Sequence, residues 1–239
     1  MLRIVVPALE SSKNFFDSYW PKNMIEVMGK PMIQYVVESF EGIQDKEFIF
    51  LLNMEECNRF HTDKVVKILS NASTIKLDGE TGGALCTCLM AIQHINNDDP
   101  VIICNCDQMI EFDLKKVVSY FESTSTDCGL LCFENVHPRW SYVREVDGEV
   151  VEAAEKRPIS SNAIAGFYYF AHGRDFVECA MSAISNGRQY DGKYYISETI
   201  NEMILKRKKV RKYMIPKENY HSFYSPQCIK NFERVYHYE

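Results

Sequence analysis

Residues 99–113, Asp-Pro-Val-Ile-Ile-Cys-Asn-Cys-Asp-Gln-Met-Ile-Glu-Phe-Asp, hold the side chains best placed for chemistry. Val101–Cys104 is a short apolar run opened by Pro100, and it reads as a strand buried on both faces in the middle of a parallel sheet. Asp107 follows it at once. In an open α/β sheet, ligands gather just past the carboxyl ends of the strands, and a carboxylate there can hold a divalent metal against a bound phosphate. The same residue could simply cap the next helix or end the strand, and this stretch alone leaves both readings standing. Three lysines also fall beside strand ends. Lys13 and Lys22 lie in the loop after the first strand, and Lys156 lies in Ala153-Ala154-Glu155-Lys156-Arg157-Pro158. An ammonium is a compact charge against phosphate oxygens, although a lysine at any one such place is by default a solvated surface residue.

The elements that must position these residues alternate regularly through the first half. Residues 2–8 predict strand one, and residues 9–20 show no period and read as a long loop stopped by Pro21. Residues 24–27 suit a short extended piece, and Gly29-Lys30 suits a turn. Pro31 opens a helix from its first position, with Met32, Ile33, Val36, Val37 and Phe40 at helical spacing and Gly42 at the end. Strands follow at 48–52, 74–77, 101–104 and 128–133. The helices between them are a polar one carrying Val65, Val66 and Leu69, one entered through Gly79-Glu80-Thr81-Gly82-Gly83-Ala84 that buries Leu85, Leu89, Ile92 and Ile95, and one that Asp113 could cap, ending near Phe121. This β-α alternation demands a mostly parallel sheet with helices on both faces. After residue 135 the pattern changes. Residues 141–146 and 149–153 flank Asp147-Gly148 as a hairpin. Residues 162–170 form a strand, two helices carry Phe176 to Ile184 and Ile196 to Ile204, a strand covers 210–215, and a last helix covers 226–235. The reading is one domain, with residues 136–239 a mixed-sheet extension sharing the core of 1–135.

The totals fit an ordinary globular chain. It has 239 residues, 46% of them hydrophobic, with a net charge of −6, which argues against nucleic acid as a partner. The basic run Lys206 to Lys212 is expected at the solvated end of a helix, where it suits the dipole. The opening apolar run is too short for a signal peptide or a membrane span, so a cytoplasmic protein is expected. Nine cysteines then suggest free thiols in a reducing compartment. Cys86/Cys88 and Cys104/Cys106 are C-x-C pairs, which suit a strand face better than a zinc site. The six histidines form no ligand pattern.

Over nearly its whole length the sequence resembles the sugar-phosphate nucleotidylyltransferases, or nucleotide-sugar pyrophosphorylases. Strand one with its loop resembles the family's opening, ending here in Pro21-Lys22-Asn23. Glu26-Val27-Met28-Gly29-Lys30-Pro31-Met32-Ile33 is similar to its path into the first long helix. Thr81-Gly82-Gly83-Ala84 stands where the family's small-residue turn touches the base, and Asn105-Cys106-Asp107-Gln108 resembles the metal-binding Asp after a buried strand. Glu155-Lys156-Arg157-Pro158 followed by Gly166-Phe167-Tyr168-Tyr169-Phe170 resembles the pair of motifs that hold the second substrate.

The resemblance implies a Rossmann-like, GT-A-like nucleotidyltransferase fold. It implies transfer of a nucleoside monophosphate from a nucleoside triphosphate to a sugar phosphate or another small phosphate ester, with release of pyrophosphate. It further implies a place in nucleotide-sugar supply to surface polysaccharide or related glycans. Mg²⁺ would sit at Asp107, Lys22 would offset phosphate charge, and Lys13 would steady the leaving pyrophosphate. Ala8, Leu9, Ser11, Ser12, Thr81, Gly82 and Asn105 would contact the nucleotide. Tyr142, Glu155, Lys156, Asn162 and Gly166 would contact the acceptor. The base, the acceptor and the oligomeric state, a homo-oligomer among the options, stay open. Two departures stand out. The family's loop, roughly Ala-Gly-x-Gly-Ser-Arg, is here Ala8-Leu9-Glu10-Ser11-Ser12-Lys13. The place of a second metal-binding Asp before a Thr-Pro step holds Ser222 in His221-Ser222-Phe223-Tyr224-Ser225-Pro226. They keep a second reading alive, a nucleotide-binding or regulatory homologue without turnover. A glycosyltransferase of related topology ranks last, because its Asp-x-Asp would need an acid at Asn105.

Overall fold

The structure, a computed structural model, describes residues 1–9, 15 and 18–236. In chain order the first half holds β1 (Leu2–Ala8), β2 (Glu26–Val27), β3 (Lys30–Pro31), α1 (Met32–Glu38), β4 (Lys46–Asn53), α2 (Met54–Phe60), α3 (Thr62–Ser70), β5 (Ser73–Leu77), α4 (Ala84–Leu89), α5 (Ile92–Ile95), β6 (Val101–Cys104), β7 (Gln108–Ile110), α6 (Leu114–Ser123) and β8 (Cys128–Glu134). The second half holds β9 (Tyr142–Val146), β10 (Glu149–Ala154), β11 (Asn162–Phe170), α7 (Gly173–Ser185), α8 (Ser197–Leu205), β12 (Val210–Met214), β13 (Tyr220–Ser222) and α9 (Pro226–Tyr236).

Strands β5, β4, β1 and β6 lie side by side and parallel. Alternate residues of each central strand enter opposite cores. Ile4, Val6, Phe48, Phe50, Ile102 and Cys104 face one apolar cluster, which α1, α3 and α6 complete. Val5, Ile49, Leu51, Val101 and Ile103 face the other, which α4, α5, α7 and α8 complete. Both clusters take residues from both halves of the chain. Their burial on two sides explains why these strands are unbroken apolar runs.

β11 lies between β6 and β8, antiparallel to both, where the alternation suggests a parallel sheet through the first half. A 3.6- or 2-residue period reports which face is buried and carries no record of which strand lies alongside. One edge of β11 changes partner along its length. Ala163 pairs with Tyr142 of β9, and Phe167 to Phe170 pair with β6. The register against β8 shifts between Ile164 and Tyr168. Gly166 sits in that shift with φ +54°, a conformation glycine adopts without a Cβ penalty.

Other departures are local. Pro31 precedes α1 with ψ 140° rather than opening it. It pairs with Glu26 in a ribbon turned by Met28 and Gly29, both at positive φ. The polar helix after β4 breaks at His61, which ends α2 in the left-handed conformation. The glycine-entered helix breaks between Leu89 and Ile92. The basic run starts at the end of α8 but crosses into β12. Lys208 meets Asp175 and Lys212 meets Glu145, each at 2.7 Å. All nine cysteines are free. Among the described residues no helix is long and apolar enough to cross a membrane.

Asp113 caps α6, accepting from the Lys115 amide at 3.1 Å, and Asn53 caps α2, accepting from the Glu56 amide at 3.1 Å. The Glu56 carboxyl is half-buried in that first turn. Burial, with the Glu55 charge beside it, pushes its pKa up to about 7. A carboxyl raised on folding contributes stability that is lost as pH rises from its ordinary range through the folded value. We therefore expect Glu56→Gln to raise Tm relative to the parent at pH 8 and to leave it unchanged near pH 4. A pH series of thermal melts checks this, and an equal effect at both values would contradict it.

Candidate active site

Lys22 begins a single 3-10 turn, Lys22–Met24, entered through Pro21 in extended conformation. The turn tucks its side chain inward, leaving the residue 8% exposed. Asp107 lies in the bend between β6 and β7. The Lys22 Nζ stands 2.7 Å from Asp107 Oδ2. The Tyr224 ring lies 5.9 Å from the same ammonium. Asn23, next in the chain, is buried, and its side-chain oxygen has no hydrogen-bond partner among the described residues.

The bend that carries Asp107 is held from two sides. On one, the Asn105 amide donates to the Gly166 carbonyl at 3.1 Å, and Gln108 Nε2 donates to the same oxygen at 3.0 Å. Gln108 Oε1 accepts from the Tyr220 hydroxyl at 3.1 Å. Burial, and then the Asp107 charge, push the Tyr220 phenol well above its ordinary pKa, so it remains a donor. On the other side, β13 pairs with β7, and the Phe223 amide donates to the Asp107 carbonyl at 2.8 Å. This pairing places Ser222 opposite Gln108. Gln108, Tyr220 and Tyr224 escaped the sequence reading, because only a three-residue ribbon brings them here.

The glycine-rich turn is braced across the molecule. Thr81 Oγ1 shares a hydrogen bond with Thr87 Oγ1 at 2.7 Å. The Tyr194 amide donates to the Gly82 carbonyl at 2.8 Å, and the Leu85 amide donates to Tyr194 at 3.2 Å. A Cβ on Gly83 would fall 2.4 Å from the Tyr194 oxygen, so only glycine allows this approach. Of the loop residues expected at the nucleotide, Ala8 ends β1 buried and Leu9 follows half-buried. Ser11, Ser12 and Lys13 lie outside the described residues.

Around the acceptor motif, Lys156 has φ +49° and projects onto two tyrosines. Its Nζ donates to the Tyr195 hydroxyl at 2.8 Å and lies 4.5 Å from the Tyr195 ring centre and 5.3 Å from that of Tyr190. Burial is the largest influence and opposes the Lys156 charge, but the hydrogen bond to Tyr195 together with the charges of Tyr195, Glu155 and Tyr190 leaves the ammonium above its ordinary pKa. Sequence reasoning gave no sign of Tyr190 and Tyr195, except that Asp191-Gly192 between them marks a turn. A cleft of about 540 Å³ opens beside them, lined by Ala154, Glu155, Arg157, Arg188, Tyr190 and Glu198 among others.

Two expected acceptor contacts, Tyr142 and Glu155, are turned inward, and a third, Asn162, stays half-buried. Tyr142 is fully buried in the first core cluster, and its hydroxyl donates to the His137 carbonyl at 2.7 Å. Its inward strand position gives a ligand no access to the ring. Glu155 is 7% exposed, and Oε2 accepts from Ser197 Oγ at 2.7 Å and from Ser141 Oγ. That carboxylate is turned into the protein. Asn162 is half-buried, with Nδ2 directed at the Val143 carbonyl at 3.4 Å.

Among the described residues no group of three His, Cys, Asp or Glu side chains could hold a metal ion. Asp107 offers a carboxylate with a lysine on one oxygen. Such a donor set fits a hard divalent cation that takes one protein carboxylate and draws its remaining ligands from phosphates and water.

Gly166 is the pivot of this arrangement. A Cβ there would lie 2.3 Å from Asn105 Nδ2 and 2.4 Å from Gln108 Oε1. We expect Gly166→Ala to destabilise the fold by about 2–4 kcal/mol, combining positive φ with the clash. Urea unfolding measures this, and a change below about 0.5 kcal/mol, the range of ordinary surface substitutions, would contradict it.

Comparison with known proteins agrees with the geometry. The fold is similar to that of a nucleoside-diphosphate-sugar pyrophosphorylase from Vibrio cholerae RC9, with a TM-score of 0.83 and 22% identity over 97% of this chain and 99% of the other. It is also similar to a UDP-glucose pyrophosphorylase solved with UDP-glucose, with a TM-score of 0.75 and 18% identity over 98% of each chain. In sequence, 156 residues are 28% identical to the bifunctional protein GlmU of Methanocaldococcus jannaschii. That match covers 63% of this chain and only 35% of GlmU, so the chain spans about a third of that relative. The nucleotidyl transferase family matches residues 18–221, most of the chain. The protein belongs to the nucleotidyl transferase family, the one its motifs resemble.

Proposed function

We propose that the protein transfers a nucleoside monophosphate from a nucleoside triphosphate to a sugar phosphate or a similar small phosphorylated metabolite. The observation that carries this reading is the Lys22–Asp107 pair at the carboxyl edge of the parallel sheet. In the reaction, a phosphate oxygen of the acceptor attacks the α-phosphorus of the nucleotide. The bond from that phosphorus to the bridging oxygen breaks, and pyrophosphate leaves with the electron pair. Such a transfer needs alignment and charge neutralisation rather than a covalent partner on the protein.

Lys22 offsets charge on the phosphates being transferred or released. Asp107 would hold Mg²⁺, which would supply charge neutralisation and alignment of phosphate oxygens. Gly82 and Thr81 form the turn that meets the base. Lys156 holds the acceptor phosphate by exchanging its Tyr195 partner for phosphate oxygens, and Tyr190 walls the cleft beside it. Lys13, with Ser11 and Ser12, steadies the leaving pyrophosphate. The product serves surface-polysaccharide or related glycan synthesis in the cytoplasm. The binding-only reading keeps one structural support, since the strand carrying Ser222 sits against the Asp107 bend where a second carboxylate could have stood.

A pyrophosphate-release assay separates the two. ATP, CTP, GTP and UTP would each be tested with Mg²⁺ and pooled phosphorylated metabolites. We expect release with one nucleotide, and loss of about 10³-fold in kcat in Asp107→Asn while its thermal melt persists. Nucleotide binding without release under any pairing would instead support the binding module. We further expect Lys156→Ala to raise the acceptor KM about 10–100-fold, the value of one charge-assisted hydrogen bond, with nucleotide KM unchanged. A change confined to nucleotide KM would remove Lys156 from the acceptor role.

A further inference from the structure

We propose that in the nucleotide-free protein the Lys22 ammonium occupies the metal's place on Asp107, so that a divalent cation enters only with a polyphosphate that draws the lysine away. This rests on the reading of Asp107 as the metal-holding carboxylate.

The pair is built rather than incidental. Its side chains are only 9% and 13% exposed, with 2.7 Å between Lys22 Nζ and Asp107 Oδ2. Both backbones are pinned. The Met24 amide donates to Pro21 at 2.9 Å and the Ile25 amide to Lys22 at 3.2 Å, closing the turn under the lysine. The Phe223 amide fixes the Asp107 carbonyl at 2.8 Å, and the Tyr224 ring lies 5.9 Å from the ammonium. Ser222, on the strand beside the bend, brings no charge, and its Oγ already accepts from the Tyr224 amide at 3.3 Å.

A divalent ion on the same carboxylate would place two cations side by side where little water can screen them. Among the described residues no three-residue acidic, histidine or cysteine group gathers there to hold a cation without a phosphate. The free protein therefore presents Asp107 already neutralised. A nucleoside triphosphate changes the balance. Its phosphates offer the ammonium a stronger anionic partner, and the released carboxylate then shares a metal with those same phosphates. Lysine and metal exchange partners without either being left alone at a buried charge.

The consequence is a competition with a measurable size. If Asp107 is unpaired about 1–10% of the time, its apparent metal affinity in the free protein is about 10–100-fold below that of the open carboxylate. Mn²⁺ is a suitable probe, counted by loss of the free-ion electron paramagnetic resonance signal. For Lys22→Met without nucleotide we expect one Mn²⁺ bound at least about tenfold more tightly than in the parent. Adding Asp107→Asn should abolish that site. Lys22→Gln serves if Lys22→Met does not fold, and Lys22→Arg, which keeps the charge, should bind Mn²⁺ as weakly as the parent. Folded Lys22→Met and Lys22→Gln proteins that bind no tighter than the parent would overturn the proposal. So would a nucleotide-free parent that binds Mn²⁺ through Asp107 as tightly as Lys22→Met does.

A second arm uses water-proton relaxation with Mn²⁺ and each of ATP, CTP, GTP and UTP. The accepted nucleotide should give enhancement with the parent protein that Asp107→Asn removes. Enhancement that survives Asp107→Asn would also overturn the proposal. If none of the four nucleotides binds, the proposed function fails, while the nucleotide-free comparison still decides what Lys22 does to the metal.

Discussion

Two opposite charges buried against each other form the constraint around which this protein is arranged. Lys22 and Asp107 are each withdrawn from solvent, and removing one partner of such a buried pair costs about 3–5 kcal/mol. They come from distant segments, and the parallel sheet brings these together. β1 and β6 are adjacent and run the same way, so the loop leaving one and the bend leaving the other open at the same edge. In open α/β sheets ligands gather at that edge, before any residue role is assigned.

The late part of the chain finishes the site rather than forming a separate lobe. β13 pairs with β7 and fixes the bend. Beyond it, Phe223, Ile229 and Phe232 share an apolar cluster with Phe15, Val27, Met32 and Tyr35. The last helix thus shares that cluster with Phe15, from the segment that follows β1. Glu111, His221 and Tyr236 tie the same ribbon to α9, with His221 Nε2 3.4 Å from Glu111 and 3.2 Å from the Tyr236 hydroxyl. Burial lowers the His221 pKa despite Glu111 beside it, so the ring stays neutral where the helix is docked. On the other flank, Tyr194 touches the glycine-rich turn while Tyr195 holds Lys156. One short segment therefore spans the glycine-rich turn and Lys156.

What the sequence revealed was whatever depends on local burial. β1, β6 and β11 coincide with the expected 2–8, 101–104 and 162–170, because a strand covered on both faces is a continuous apolar run. The cap at Asp113 and the Asp-Gly hairpin were legible because short polar side chains and positive-φ turns act within a few residues. What depends on long-range pairing was not. Nothing in Gln108-Met109-Ile110 or Tyr220-His221-Ser222 announces a strand, since each gains its partner only when the chain returns to the same edge. The insertion of β11 beside β6 was hidden for the same reason. Within the site, Asp107 and Lys22 could be read from spacing and resemblance, and the structure joins them. Tyr142 and Glu155 could not be placed, because a tyrosine or a glutamate in a strand gives no sign of which way it faces until its neighbours, here His137, Ser141 and Ser197, are known.

The account stands most directly on where a metal and a triphosphate meet this pair. The decisive measurement is a crystal structure with Mn²⁺ and the accepted nucleoside triphosphate, using anomalous scattering to locate the metal. The account requires a manganese peak in contact with the Asp107 carboxylate and phosphate oxygens, with the Lys22 ammonium moved from Asp107 onto the phosphates. A bound triphosphate with manganese elsewhere and the Lys22–Asp107 pair intact would contradict it.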